Sequence, residues 1–220
     1  KASTGNIKVE LEAMDATVML TQVVGEFEER AKKNQLDIVQ HLQEEITDYI
    51  TKLFSSGNLT ELQSEQTAGL LYVTNNIERI ADRCQDIDSI WIKIQDDGMS
   101  FSEEAGKEIE NCINVLLDLL RQAMTAVKQG SEEEAELVFK NKKKLHKAEK
   151  KFNKAHLNRV KNQKCDPAMT GYFSGILYNL DRAADNCVSI AEEALDNQGF
   201  VKLGEAARNF AAPAAVVEAV

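Results

Sequence analysis

Two carboxylate pairs carry the most chemical promise in this chain: Glu78 with Asp82, and Asp181 with Asp185, each four residues apart. Hard cations take oxygen ligands, and acids one helical turn apart can share or bridge such an ion. On a helix the same spacing is unfavourable unless a cation compensates the repulsion. Both pairs lie inside a repeated pattern. Asn76-Ile77-Glu78-Arg79-Ile80-Ala81-Asp82-Arg83-Cys84-Gln85-Asp86-Ile87 returns 103 positions later as Asn179-Leu180-Asp181-Arg182-Ala183-Ala184-Asp185-Asn186-Cys187-Val188-Ser189-Ile190. One offset that holds asparagine, arginine, alanine, aspartate, cysteine and isoleucine in register implies a duplicated unit about half the chain long.

At about 100° per residue, Ile77, Ala81, Cys84 and Ile87 form one apolar stripe, and Leu180, Ala184, Cys187 and Ile190 form its counterpart. The acids are expected on the flank of each stripe, open both to solvent and to a neighbouring helix. A purely structural use competes with metal binding there. Arg79 is three residues before Asp82 and Arg182 three before Asp185, so each acid has a local ion-pair partner. His146, Glu149, Asn153 and His156 share a face of another helical stretch and would suit a borderline metal. Lys142, Lys143, Lys144, Lys147, Lys150, Lys151 and Lys154 crowd that stretch, which argues for a solvated basic face docking onto acidic neighbours.

The elements that must position these groups are helices. Only 2 prolines and 6% aromatics occur in 220 residues, alongside abundant Ala, Leu, Glu and Lys, a composition suited to an all-α fold. Thr60-Glu61-Leu62-Gln63 and Ser131-Glu132-Glu133-Glu134 read as capping boxes, Ser102-Glu103-Glu104 as a cap followed by acids, and Asp166-Pro167 as a cap followed by proline. Stops fall at Ser55-Ser56-Gly57-Asn58, Asp96-Asp97-Gly98, Gln129-Gly130 and Asn197-Gln198-Gly199. These signals predict six helices, near 6–31, 34–54, 60–95, 102–129, 131–162 and 167–197. Two tandem antiparallel three-helix bundles follow, over 1–98 and 99–199, with 200–220 as a tail of no assigned role.

A net charge of −10 disfavours duplex nucleic acid or an anionic membrane surface as the main partner. Cys84, Cys112, Cys165 and Cys187 show neither C-x-x-C spacing nor the density of a secreted scaffold, and read as reduced, buried thiols. No apolar run reaches the roughly 18 residues that span a bilayer, and no signal peptide is visible, so the chain reads as soluble and cytoplasmic. The start at Lys1 rather than methionine suits a piece of a longer protein. There is no G-x-x-x-x-G-K-S/T, G-x-S-x-G, H-E-x-x-H or di-iron E-x-x-H pattern, and the chain is read as a non-enzyme.

Six helices with a doubled E/D-R-x-x-D motif resemble PhoU, the bacterial regulator of phosphate uptake, over roughly residues 6 to 197. The resemblance implies two three-helix bundles, each with an E/D-x-x-x-D motif on its third helix, here Glu78/Asp82 and Asp181/Asp185. Leu11 and Met14 are similar to the family's opening helix. Relatives that hold multinuclear metal clusters add a second acid pair on the middle helix. Here Leu36 and Gln40 stand at those positions in the first half, and Lys142 and His146 in the second. The resemblance therefore leaves at most a single divalent or iron ion, with Asp181, Asp185 and His146 as its best ligands.

These departures, with the segment Ile46-Thr47-Asp48-Tyr49-Ile50-Thr51-Lys52-Leu53, are similar to the PhoU-like domain of bacterial sodium/phosphate cotransporters. That resemblance implies a cytosolic regulatory module, tethered at the inner face of the plasma membrane without inserting into it. Its partner would be the transmembrane part of the transporter, fused or separate, and family habit adds a homodimer. The competing readings are a stand-alone phosphate-uptake regulator binding metal through its E/D-x-x-x-D motifs, a metal-dependent enzyme or store, and a structural helical adaptor.

Overall fold

A computed structural model describes residues 36–57, 59–197 and 200. They form five α-helices and, among the described residues, no strand: α1 (Leu36–Ser55), α2 (Glu61–Asp96), α3 (Glu103–Gln129), α4 (Glu132–Lys161) and α5 (Met169–Asp196). The helix expected near 6–31 lies outside the described residues.

The starts and stops follow local chemistry. The Thr60 hydroxyl accepts from Gln63 N while the Gln63 side chain accepts from Thr60 N, a complete capping box at α2. Ser102 caps α3 and Ser131 caps α4, each by accepting a backbone N–H three residues on. Gly130 ends α3 in the left-handed region at φ 54°, which costs glycine no steric penalty. At α5 the expected start shifts. Asp166 Oδ1 accepts from Ala168 N at 2.9 Å, and the helix begins only at Met169.

Helices α3, α4 and α5 pack against one another in all three pairings. In the first half, α1 packs along α2. The joint between the halves is α2 against α5, the two helices that carry the repeated pattern. They run antiparallel: Asn197 Nδ2 donates to Glu65 O, Arg83 Nη1 to Asn179 Oδ1, and the Tyr172 hydroxyl to Asp97 Oδ2. Helix α5 therefore touches α2, α3 and α4, and its buried set runs from Met169 and Phe173 through Leu180 and Cys187 to Ala194. The expected α5 stripe of Leu180, Ala184, Cys187 and Ile190 is buried throughout. On α2 the stripe is rotated: Ile80 and Ala81 are buried, while Ile77, Cys84 and Ile87 are only half-buried. Cys112 and Cys187 are buried as expected, whereas Cys84 and Cys165 are half-buried. Burial raises the Cys84 thiol and pushes Cys112 up to about 11 and Cys187 to about 12.

Gly69 on α2 marks a close approach at the joint. A methyl group there would overlap the Asn197 amide, the Glu193 carboxylate and the Phe200 ring. Asn197 cannot yield freely, since it also donates to Glu65 O and Glu193 Oε1, and Phe200, the first residue assigned to the tail, is buried. Gly69→Ala should therefore cost about 1–3 kcal/mol through overpacking, despite the better helix propensity of alanine. The urea midpoint measures it; an unchanged or raised midpoint would show that this end of α5 is loosely held.

Candidate functional site

The site is built on α4 and α5, which run side by side in opposite directions: Asn153 accepts from Ser174 Oγ, and His156 Nε2 lies 3.3 Å from Thr170 Oγ1. One register further along, Lys142 on α4 meets both acids of the second motif copy. Its Nζ donates to Asp181 Oδ1 at 2.7 Å and to the Asp181 carbonyl at 2.8 Å, and lies 2.7 Å from Asp185 Oδ1. Arg182 takes the other carboxylate oxygens, with Nη2 3.2 Å from Asp181 Oδ2 and Nη1 2.9 Å from Asp185 Oδ2. The expected i, i+3 pair between Arg182 and Asp185 is thus formed.

Asp181 is not the flank residue expected from its helical angle. It is 3% exposed, covered by α4, while Asp185 remains half-buried. Burial alone would raise the Asp181 carboxyl, but the Lys142 hydrogen bond and charge, then Arg182 and His146, hold it below the ordinary carboxylate range. His146 Nδ1 lies 3.3 Å from Asp181 Oδ2 and 3.4 Å from Glu149 Oε2. These three groups are the one set among the described residues with metal-ligand spacing, all ligand atoms falling within 4.8 Å of one another. Asn153 steadies Glu149 by donating to Oε1 at 3.3 Å. His156, expected on the same face, is instead buried and stacked on Phe173 at 4.6 Å between ring centres.

The first copy is not assembled in this way. Glu78 is half-buried and Asp82 exposed, and among the described residues neither forms an ion pair. Burial, then the charge of Asp82, raises the Glu78 carboxyl, with Arg79 partly offsetting. Gln40, at the position of a lost middle-helix acid, is exposed and donates to Glu44 on its own helix. Glu78 and Asp82 are therefore not brought together with Asp181, Asp185 and His146 into one centre.

The lysine-rich face resolves into two parts. Lys143, Lys144, Lys147, Lys150, Lys151 and Lys154 are exposed, whereas Lys142 is turned inward. The helical wheel carries that signal: Lys142 is four residues after Val138 and three before Leu145, both buried. In the sequence Lys142 stood apart from the other lysines only as the replacement of a middle-helix acid, and its ion pairs with Asp181 and Asp185 were not foreseen. Sequence reasoning also missed Glu108 on α3, which binds Arg159 of α4 through both carboxylate oxygens with both side chains largely buried.

A divalent ion or cluster at the second acid pair needs those carboxylate oxygens as acceptors. Lys142 and Arg182 already take all four, and two fixed positive charges stand where a cation would be held. The donor set at Asp181 and Asp185 does not fit a metal cluster.

The PhoU domain model matches this chain over residues 17–89 and again over 109–194. The two matches cover more than half of the sequence, and the chain belongs to the PhoU domain family. Neither a curated protein nor a solved structure matches it significantly. PhoU domains are regulatory and non-enzymatic and are associated with control of phosphate transport. The doubled match agrees with the duplication read from the repeated pattern. Among the described residues no helix is long and apolar enough to cross a membrane.

Proposed function

We propose that the chain is the cytosolic regulatory module of a sodium-dependent phosphate cotransporter. The observation that carries this reading is the doubled PhoU match, combined with loss of the middle-helix acids: Gln40 in the first half, Lys142 and His146 in the second. A helical domain whose second acid pair is engaged by its own cations is suited to docking rather than to chemistry on a substrate. The module biases the transporter between states by binding one of them better than the other. Its partner is the transmembrane part, whether fused to the chain or separate, and a second copy of the chain is a further partner in this reading.

Sodium-dependent uptake of radiolabelled phosphate tests the proposal, in host cells carrying the intact gene or the gene lacking the codons for residues 36–197. A coupling of about 1–3 kcal/mol between module and transporter changes uptake by about fivefold or more. Uptake that is indifferent to the deletion at both scarce and abundant phosphate overturns the reading.

A further inference from the structure

We propose that Lys142 is the resident cation of the second carboxylate pair, so that this half of the domain uses a tethered ammonium in place of a divalent metal. Three observations carry the inference. First, an i, i+4 acid pair repels itself and a cation between the two acids relieves that repulsion; Lys142 Nζ lies 2.7 Å from an oxygen of each acid. Second, an ammonium has three protons to donate, and three oxygens surround it within 2.8 Å: Asp181 Oδ1, the Asp181 carbonyl and Asp185 Oδ1. Third, the Lys142 side chain is only 15% exposed and that of Asp181 only 4%, so solvent ions compete poorly for either.

A tethered cation differs from a bound ion in its chemistry. It arrives with the chain, needs no free metal, and cannot be lost to a chelator or exchanged between ions. The charges of the acid pair also balance without a metal: Asp181 and Asp185 face Lys142 and Arg182. A divalent ion would have to displace Lys142 from a buried position or crowd against it.

The test is metal binding by the full chain, stripped with chelator and titrated with Mn²⁺ and separately with Zn²⁺. Titration calorimetry, elemental analysis after gel filtration and thermal unfolding serve as readouts. Wild type is expected to bind neither ion at this site and to unfold at the same temperature with or without it. Lys142→Ala frees the oxygens of Asp181 and Asp185 beside His146, and should gain about one ion per chain. Adding Asp181→Asn to Lys142→Ala should abolish that gain. Lys142→Arg keeps the positive charge and should stay metal-free.

Stoichiometric binding by wild type that disappears in Asp185→Asn or His146→Ala overturns the proposal. So does a folded Lys142→Ala variant that gains no ion. If Lys142→Ala does not fold alone, refolding on addition of Mn²⁺ or Zn²⁺ supports the proposal, and the wild-type titration decides it in any case. None of these readouts involves phosphate uptake, so this proposal and the transporter reading can fail separately.

Discussion

Asp181→Ala should destabilise the domain by about 3 kcal/mol, among the largest effects of any single polar substitution. Removing one partner of a buried ion pair costs about 3–5 kcal/mol because the other charge is left without compensation. Here the lower end applies, since Asp185 remains 2.7 Å from Lys142 Nζ and can still accept from it. The loss should be far smaller in the double variant Asp181→Leu with Lys142→Met, which removes both charges and fills the space with apolar atoms. A double-mutant cycle in urea measures the coupling; equal losses in the single and double variants would mean that the pair contributes nothing specific.

The same group sets a pH signature. The folded-state pKa of Asp181 is depressed, so its contribution is fully present above the unfolded carboxyl value of about 3.9 and disappears as pH falls through the lower folded value. The stability gap between wild type and Asp181→Asn should therefore be flat at neutral pH and close in strong acid. A gap that closes near neutrality would place the effect on another group.

Glu108→Ala should cost about 3–5 kcal/mol, again by stranding a buried charge. Arg159 donates from both terminal nitrogens to the two Glu108 oxygens, a bidentate geometry that fixes α3 to α4 at the end of the bundle opposite Gly130. Its guanidinium also lies 6.0 Å from the Phe173 ring centre, and Phe173 is fully buried on α5, so one side chain engages three helices. Arg159→Lys keeps the charge but loses the fork, and should fall between wild type and Glu108→Ala. Thermal and urea unfolding of the three proteins gives the order. A lysine variant as stable as wild type would show that charge alone matters here.

His156 is coupled to this pair. Burial, then the charge of Arg159, lowers its pKa, and Glu108 partly offsets that effect. A histidine buried in its neutral form contributes stability above about pH 6.5 that is lost as pH falls through its lower folded value. Without Glu108 the positive charge of Arg159 acts on the imidazole uncompensated, so the acid limb of the Glu108→Ala profile should move to lower pH.

Local chemistry made much of the fold readable before any coordinates. Hydroxyl caps at Thr60, Ser102 and Ser131 and the glycine stop at Gly130 act within one turn of backbone, so sequence spacing contains the whole interaction. The α5 stripe was readable because Leu180, Ala184, Cys187 and Ile190 sit at the centre of a face that must be buried. Asp181 was not readable in the same way. Its helical angle places it beside the stripe, but whether that flank is open depends on how closely α4 approaches, and α4 carries Lys142 to it. The rotated stripe on α2 has a similar cause, since the α2 face that is buried depends on the neighbours α1 and α5 as much as on its own pattern. Pairs such as Glu108 with Arg159 join residues on different helices, and no periodicity along one chain segment encodes them.

The position of α5 between three other helices has a further consequence for how the molecule opens. Detaching α2 exposes one side of α5, and detaching α3 or α4 exposes another, so none of these three helices can leave without uncovering the helix they share. Amides of central α5 are then expected to exchange with solvent only when α2 to α5 unfold together, and these four helices behave as one cooperative unit although they come from two repeats.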